Sequence, residues 1–284
     1  MKTSRVLRDL DRIAARTFSF NELRALHTLH REHWEAPGSF RDFEHRLIAA
    51  GSEKVSRSVS GKKYRPITRY VLPQTSPYEL AISLRPRSFL SHGTAAFLHG
   101  LISEPPIIYV NKEQSPKRAR RNQVLSQDAV DRAFHRPQRV SNFVVKFGGR
   151  SIVLVAGQHT GEFGVEELSL ASGRKIRATS LERTLVELTV RSAYAGGVLN
   201  VLRAFRAGRR RISVARLITT LQKFAYVYPY HQAVGFYLER AGFPEKDYGR
   251  LRQRVTLDFH LTHGTEKTRF HKGWRLHYPL ALDR

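Results

Sequence analysis

The chain has 284 residues, 41% of them hydrophobic, which suffices for a sizeable core and excludes wholesale disorder. It has no cysteine, so disulfides and thiolate metal sites are excluded, and no apolar run approaches the length of a membrane span. Lysine and arginine total 49 against 24 acids, a net charge of +25 distributed as +7 over residues 1–75, +7 over 76–180 and +11 over 181–284. A folded chain this basic attracts polyanions, and nucleic acid is the expected partner. No stretch pairs a basic face with a broad Trp/Phe/Leu face, which disfavours an anionic membrane surface. The start, "MKTSRVLRDLDRIAARTF", lacks an apolar signal core, so a cytoplasmic protein is expected.

Ser4 precedes apolar positions at helical spacing, Val6, Leu7, Leu10, Ile13 and Ala14. Ser19 with Glu22 is a capping box and predicts a second helix from Phe20 to about Trp34, broken by Pro37-Gly38. Ser39 with Asp42 opens a third helix, "FRDFEHRLIAAG", stopped by Gly51. Arg41, Asp42, His45 and Arg46 share its polar arc, while Glu44 falls awkwardly among the apolar positions. The period then changes to alternation in "EKVSRSVS", a "GKK" turn and "YRPITRYVL". Three helices followed by a basic hairpin is the order of a winged helix-turn-helix. In that fold the third helix reads the major groove, which assigns base or phosphate contacts to Arg41, His45 and Arg46, with Ser39 and Asp42 at the helix start. Arg57, Lys62, Lys63, Arg65 and Arg69 on the hairpin are placed to meet phosphates, with Lys54 at its first strand.

Pro73 closes the hairpin, and "LPQTSP" is the expected boundary between domains 1–73 and 74–284, a short linker rather than a tether. Ser76-Pro77 starts a helix. In "SHGTAAFLHGL", Ser91 is placed to cap a short helix that Gly100 ends in the left-handed region. "PPIIYVNK" reads as a buried strand, "FVVKFGGRSIVLVAG" as a hairpin around Gly148-Gly149, and "EELSLASGRKIRAT" as a shorter one around Ser172-Gly173. Thr179 with Glu182 predicts a capping box for "SLERTLVELTVR", and three helices follow at about Gly197–Ala207, Val214–Phe224 and Pro229–Ala241. "VTLDFHL" and "GWRLHYPL" read as strands. The expected class is mixed α/β (α+β): the winged helix, then a larger domain with a modest antiparallel sheet and a helical block.

"SHGTAAFLHGL", with "ATSLERTLVEL" about eighty residues later, resembles the AbiEi-type antitoxins of abortive-infection, type IV toxin–antitoxin systems. Ser91, His92, His99, Gly100, Leu101, Glu182, Arg183, Thr184 and Leu185 match the family pattern, over most of residues 70–240. The resemblance implies a repressor that binds double-stranded operator DNA and counteracts a nucleotidyltransferase toxin, without catalysis of its own and with no cofactor or metal. It leaves the motif residues a role in a packed joint or an antitoxin surface.

Enzymatic readings find less support. Ser91 and His92 are adjacent, so a helix points them apart, and there is no Gly-x-Ser-x-Gly elbow. The histidines at 27, 30 and 33, and at 260 and 263, have no cysteine and few carboxylates beside them, which makes a closed metal site hard to build. A metal-dependent defence nuclease is the rival from another class, yet no acid here is followed two residues on by a lysine, and Glu166-Glu167 face opposite sides of a strand. "KRARR" at 117–121 and "RAGRRR" at 206–211 are read as extensions of a nucleic-acid track.

Overall fold

The computed structural model describes residues 3–13, 15–36, 38–57, 67–116, 125–264 and 267–283. Helix α1 (Thr3–Arg12) leads to the short strand β1 (Thr17–Phe18), then α2 (Phe20–His30), α3 (Phe40–Ala49) and the strands β2 (Glu53–Arg57) and β3 (Ile67–Val71). Both capping boxes form, Ser19 with Glu22 and Ser39 with Asp42. Helix α2 ends earlier than its apolar pattern suggests, and a turn carries the chain to Trp34, whose ring stacks on Phe43 at 5.7 Å. The three strands form an antiparallel sheet in the order β1-β3-β2. This order of elements and strands is that of a winged helix.

The misfit Glu44 has a partner on each side. Its Oε1 accepts from the Tyr70 hydroxyl at 2.9 Å and pairs with Lys54, so a buried charge on the apolar face of α3 is compensated. Burial pushes the Glu44 carboxyl up, but the bonds from Lys54 and Tyr70 outweigh it and hold the group below its usual range.

Strand β3 serves two cores because side chains alternate along it. Tyr70, with Leu72 just beyond, belongs to the core of α1–α3, whereas Ile67, Val71 and Val55 of β2 pack with Leu80, Ala81 and Leu84 of the next helix. That helix, α4 (Pro77–Ser83), starts at a third capping box, Ser76 with Glu79. The linker is held as well: Leu72 N donates to Arg16 O at 3.1 Å, and Arg16 donates to Pro73 O.

Strand β4 (Phe89–Leu90), α5 (His92–Leu98), β5 (Ile107–Asn111), α6 (Gln127–His135), β6 (Val144–Phe147), β7 (Arg150–Val155), β8 (Val165–Ser169) and β9 (Lys175–Thr179) follow. Their strands make one sheet in the order β6-β7-β5-β4-β9-β8, with β5–β7 and β4–β9 parallel and the other neighbours antiparallel. The two hairpins turn where expected, with Gly148, Gly149 and Gly173 at positive φ. Helix α6 escapes the sequence reading; Ser126 caps it, and its core face rests on Val130 and Phe134. The helical block is α7 (Leu181–Val190), α8 (Val198–Gly208), α9 (Val214–Phe224), α10 (Tyr230–Arg240) and α11 (Glu245–Tyr248). Three further strands, β10 (Phe259–His260), β11 (Thr268–His271) and β12 (Leu276–Pro279), form a sheet in the order β10-β12-β11. Trp274 lies so close on Gly235 of α10 that an added Cβ would stand 2.2 Å from its ring. The class is mixed α+β, and among the described residues no helix is long and apolar enough to cross a membrane.

Candidate functional site

The residues that the sequence singles out fall at two places: the outer edge of α3 and the joint between α5 and α7. On α3, Phe43 and Leu47 are buried, while Arg41, His45 and Arg46 are exposed. Neither guanidinium is in a hydrogen bond or salt bridge with a described residue. Ser39 and Asp42 are spent on the helix start: Ser39 N donates to Asp42 Oδ2 at 3.1 Å, and Asp42 N donates to Ser39 Oγ at 3.2 Å. The Ser39 bonds hold the Asp42 carboxyl below its usual range.

The hairpin cations divide. Arg69 turns inward, donating to the carbonyls of Ser83 at 2.8 Å, Thr68 at 2.9 Å and Leu84 at 3.3 Å. It shares a face with Ile67 and Val71, so register makes it a strut between the hairpin and the end of α4 rather than a phosphate contact. Arg57, paired across the ladder with Ile67, leans the same way and donates to Asn142 O at 3.4 Å. Lys62, Lys63 and Arg65 lie outside the described residues, as does the run 117–121. In the second run Arg206, Arg209 and Arg210 are exposed, while Arg211 donates to His99 O at 2.6 Å.

The two motifs that are eighty residues apart in sequence come together, with α5 lying against α7. Ser91 does not cap α5. Its Oγ lies 2.9 Å from His92 Nδ1 and no cap bond forms, because the chain enters the helix through His92 at φ +49°. The first turn is tied by tertiary contacts instead: Tyr109 N donates to Thr94 Oγ1 at 2.8 Å, and His92 N donates to Glu187 Oε2 at 3.5 Å. Gly100 ends the helix at φ +68°, as expected, and the His99 imidazole Nε2 bonds Thr179 O at 2.8 Å. The expected Thr179 cap of α7 is one residue out. Ser180 caps by accepting from Arg183 N, and Thr179 ends β9 with its hydroxyl 2.7 Å from Thr184 Oγ1. Glu182 reaches away, accepting from Ser213 N at 3.0 Å and Arg216 at 2.9 Å.

Arg183 is the centre of the joint, with only 1% of its surface exposed. It donates to Glu187 at 2.9 Å, Glu113 at 3.2 Å, Phe163 O at 2.6 Å and Thr160 Oγ1 at 3.1 Å, between the rings of Phe89 and Phe224. Glu113 accepts further bonds from the backbone and hydroxyl of Thr160 and from Glu162 N. Burial pushes the Glu113 carboxyl up, and these bonds more than reverse the shift. A buried arginine shared by two carboxylates is a satisfied ionic cluster. Sequence reading missed Glu113, Thr160 and Glu187; only Glu187 carried a local signal, as the residue four on from Arg183.

A serine–imidazole–carboxylate relay is not assembled here. Ser91 Oγ and Glu187 Oε2, the latter at 3.8 Å, approach the same ring nitrogen of His92, whereas a relay uses both nitrogens. The paired histidines have separate partners: His27 bonds Ala36 O, His33 pairs with Asp9, and His260 pairs with Asp131. Among the described residues no three His, Asp or Glu side chains converge as a metal site would require.

No protein-family model and no curated protein matches this sequence. A solved structure, described as the RV2827C protein from Mycobacterium tuberculosis, is similar with a TM-score of 0.61 at 15% identity, covering 97% of this chain and 90% of that one. At that identity the likeness concerns the fold alone.

Proposed function

We infer that the chain is a sequence-specific DNA-binding repressor, and that it also acts as the antitoxin to a nucleotidyltransferase toxin. The observation that carries the DNA half is the outer edge of α3, where Arg41, His45 and Arg46 stand exposed on a winged-helix frame. Arginine forks at that position suit the guanine edge in the major groove. The net charge of +25 and the exposed Arg206, Arg209 and Arg210 supply attraction that does not depend on sequence. The antitoxin half rests on the resemblance of the α5 and α7 motifs, and on nothing else.

The test is selection of duplexes from a random pool by the full chain. A recovered sequence that Arg41→Ala and Arg46→Ala each bind about tenfold or more weakly, with random DNA little affected, supports the reading. Recovery of no sequence, or equal loss on both kinds of DNA, overturns it. The antitoxin half is tested by growth of cells that co-express the chain with a nucleotidyltransferase encoded beside it; no rescue overturns that half alone.

A further inference from the structure

The buried cluster forms one wall of a cleft that the function above does not use. The cleft encloses about 790 Å³, within the range of small-molecule sites. It opens beyond the carboxyl ends of β5 and β7, neighbouring parallel strands, where open α/β sheets bind ligands. Its opposite wall is the segment from Phe224 to Tyr230, held in a tight turn by Ala225 at φ +44°.

Three of its lining side chains are more than nine-tenths buried, yet each keeps polar capacity that no described residue uses. Asn111, 2% exposed, accepts from Gly157 N through Oδ1, and its amide Nδ2 has no partner. His92, 4% exposed, spends Nδ1 beside Ser91, and Nε2 has no partner. Tyr230, 7% exposed, has an unbonded hydroxyl, and so do the half-buried Tyr226 and Tyr228 beside it. None of these atoms is sealed from the surface, unlike the Tyr237 hydroxyl. Burial pushes the hydroxyls of Tyr226 and Tyr230 up, so both are donors at neutral pH.

The placement of charge orients the ligand. Both carboxylates near the floor are committed, Glu187 to Arg183 and Glu113 to Arg183 and Thr160. Arg191 lines the cleft, and its charge reaches His92, Tyr226 and Tyr230. With Arg183 shared by two carboxylates the floor is net negative and Arg191 offsets it, so the anionic part of a ligand belongs at Arg191 and its neutral part at the unspent donors. The rings of Phe224, Tyr226, Tyr228 and Tyr230 form an edge-to-face series with centroids 5.3–6.4 Å apart, a wall for a flat group. An asparagine amide matches the edge of a nucleobase.

We propose that this cleft binds a nucleotide unit, with its base at the tyrosine wall and Asn111 and its phosphate towards Arg191. The unit comes either from a free mononucleotide or from an unpaired position of a strand. Calorimetric titration of the full chain with AMP, GMP, CMP and UMP, and with single-stranded oligonucleotides of six residues, distinguishes the sources. Tyr228→Phe and Tyr230→Phe remove hydroxyls that bond to no described residue, so the fold is kept. The double variant should bind the recovered ligand about tenfold more weakly, the equivalent of one or two lost hydrogen bonds. Arg41→Ala should leave that affinity unchanged. Tyrosine-dependent binding of a mononucleotide, or of the oligonucleotide alone, supports the proposal and names the source. If nothing in either set binds, or if the double variant binds like the parent, the cleft is not a nucleotide site.

Discussion

Helices α3 and α5 both start immediately after a serine, but Ser39 stands in solvent and Ser91 is fully buried. Ser39 satisfies the helix it precedes, through a reciprocal box with Asp42. Ser91 serves a neighbouring imidazole, and the first turn of α5 is held by Tyr109 and Glu187 from elsewhere in the fold. An exposed helix has to supply its own cap. A buried one can take its bonds from tertiary partners, and its backbone can then be forced through a residue such as His92 at φ +49°.

The largest effect is expected at the tertiary partners of α5. Arg183→Met strands the Glu113 and Glu187 carboxylates in the interior and should cost about 3–5 kcal/mol in denaturant unfolding. Next, Gly93→Ala drives a methyl to within 2.6 Å of Tyr194 O and should cost about 1–3 kcal/mol by melting. A near-neutral result would mean that α5 is not seated against that carbonyl.

The serines themselves follow. Ser91→Ala leaves His92 Nδ1 without its partner, a loss of about 1–3 kcal/mol for a buried group. Ser39→Ala removes a cap and should cost about 1 kcal/mol. Ser39→Asn should recover most of that loss, because asparagine also caps, whereas Ser91→Asn should be worse than alanine in a site with no room. Equal responses to asparagine at both positions would erase the contrast.

Acid should act on the same joint, by up to about 3 kcal/mol. Burial lowers the His92 pKa from 6.5 to about 4 against the opposing charge of Glu187. A folded pKa below the unfolded one means stability is fully present above about pH 6.5 and is lost as pH falls towards 4. The parent should therefore lose more stability than His92→Gln across that window, measured as the difference between their unfolding curves. The smallest change belongs to the outer edge of α3: Arg41→Ala and Arg46→Ala should leave melting within about 0.5 kcal/mol of the parent. A larger shift would mean these side chains support the fold and do not stand free.

The contrast also marks how far the sequence could be read. Capping boxes, glycine turns and apolar periods are local, and they placed α2, α3, α4, α9 and both hairpins of the large sheet within a few residues. Ser91 presented the same letters as a cap, and nothing local records that Glu187 would accept from the first helix N–H instead, or that Tyr109 would donate to the Thr94 hydroxyl beside it. Glu44 looked like an error in the helical pattern because its partners, Lys54 and Tyr70, lie on strands beyond it. Arg69 and Arg57 read as surface cations because the face they occupy is decided by what packs on the hairpin. The cleft draws on Asn111, Arg191 and Tyr230, which no spacing rule connects.

The two-faced strand β3 has a consequence for how the molecule comes apart. With Tyr70 in one core and Ile67 and Val71 in the other, neither half can melt without stripping a face from the same strand. A fragment ending at residue 73 would carry Val55, Ile67 and Val71 bare, and Arg69 without the carbonyls of Ser83 and Leu84. The winged helix is thus not a detachable cassette. Heating should give one transition rather than two, and the amides of β3 should exchange with solvent only through global unfolding. A twist imposed on the hairpin by whatever it grips would be delivered directly to α4 and the sheet behind it.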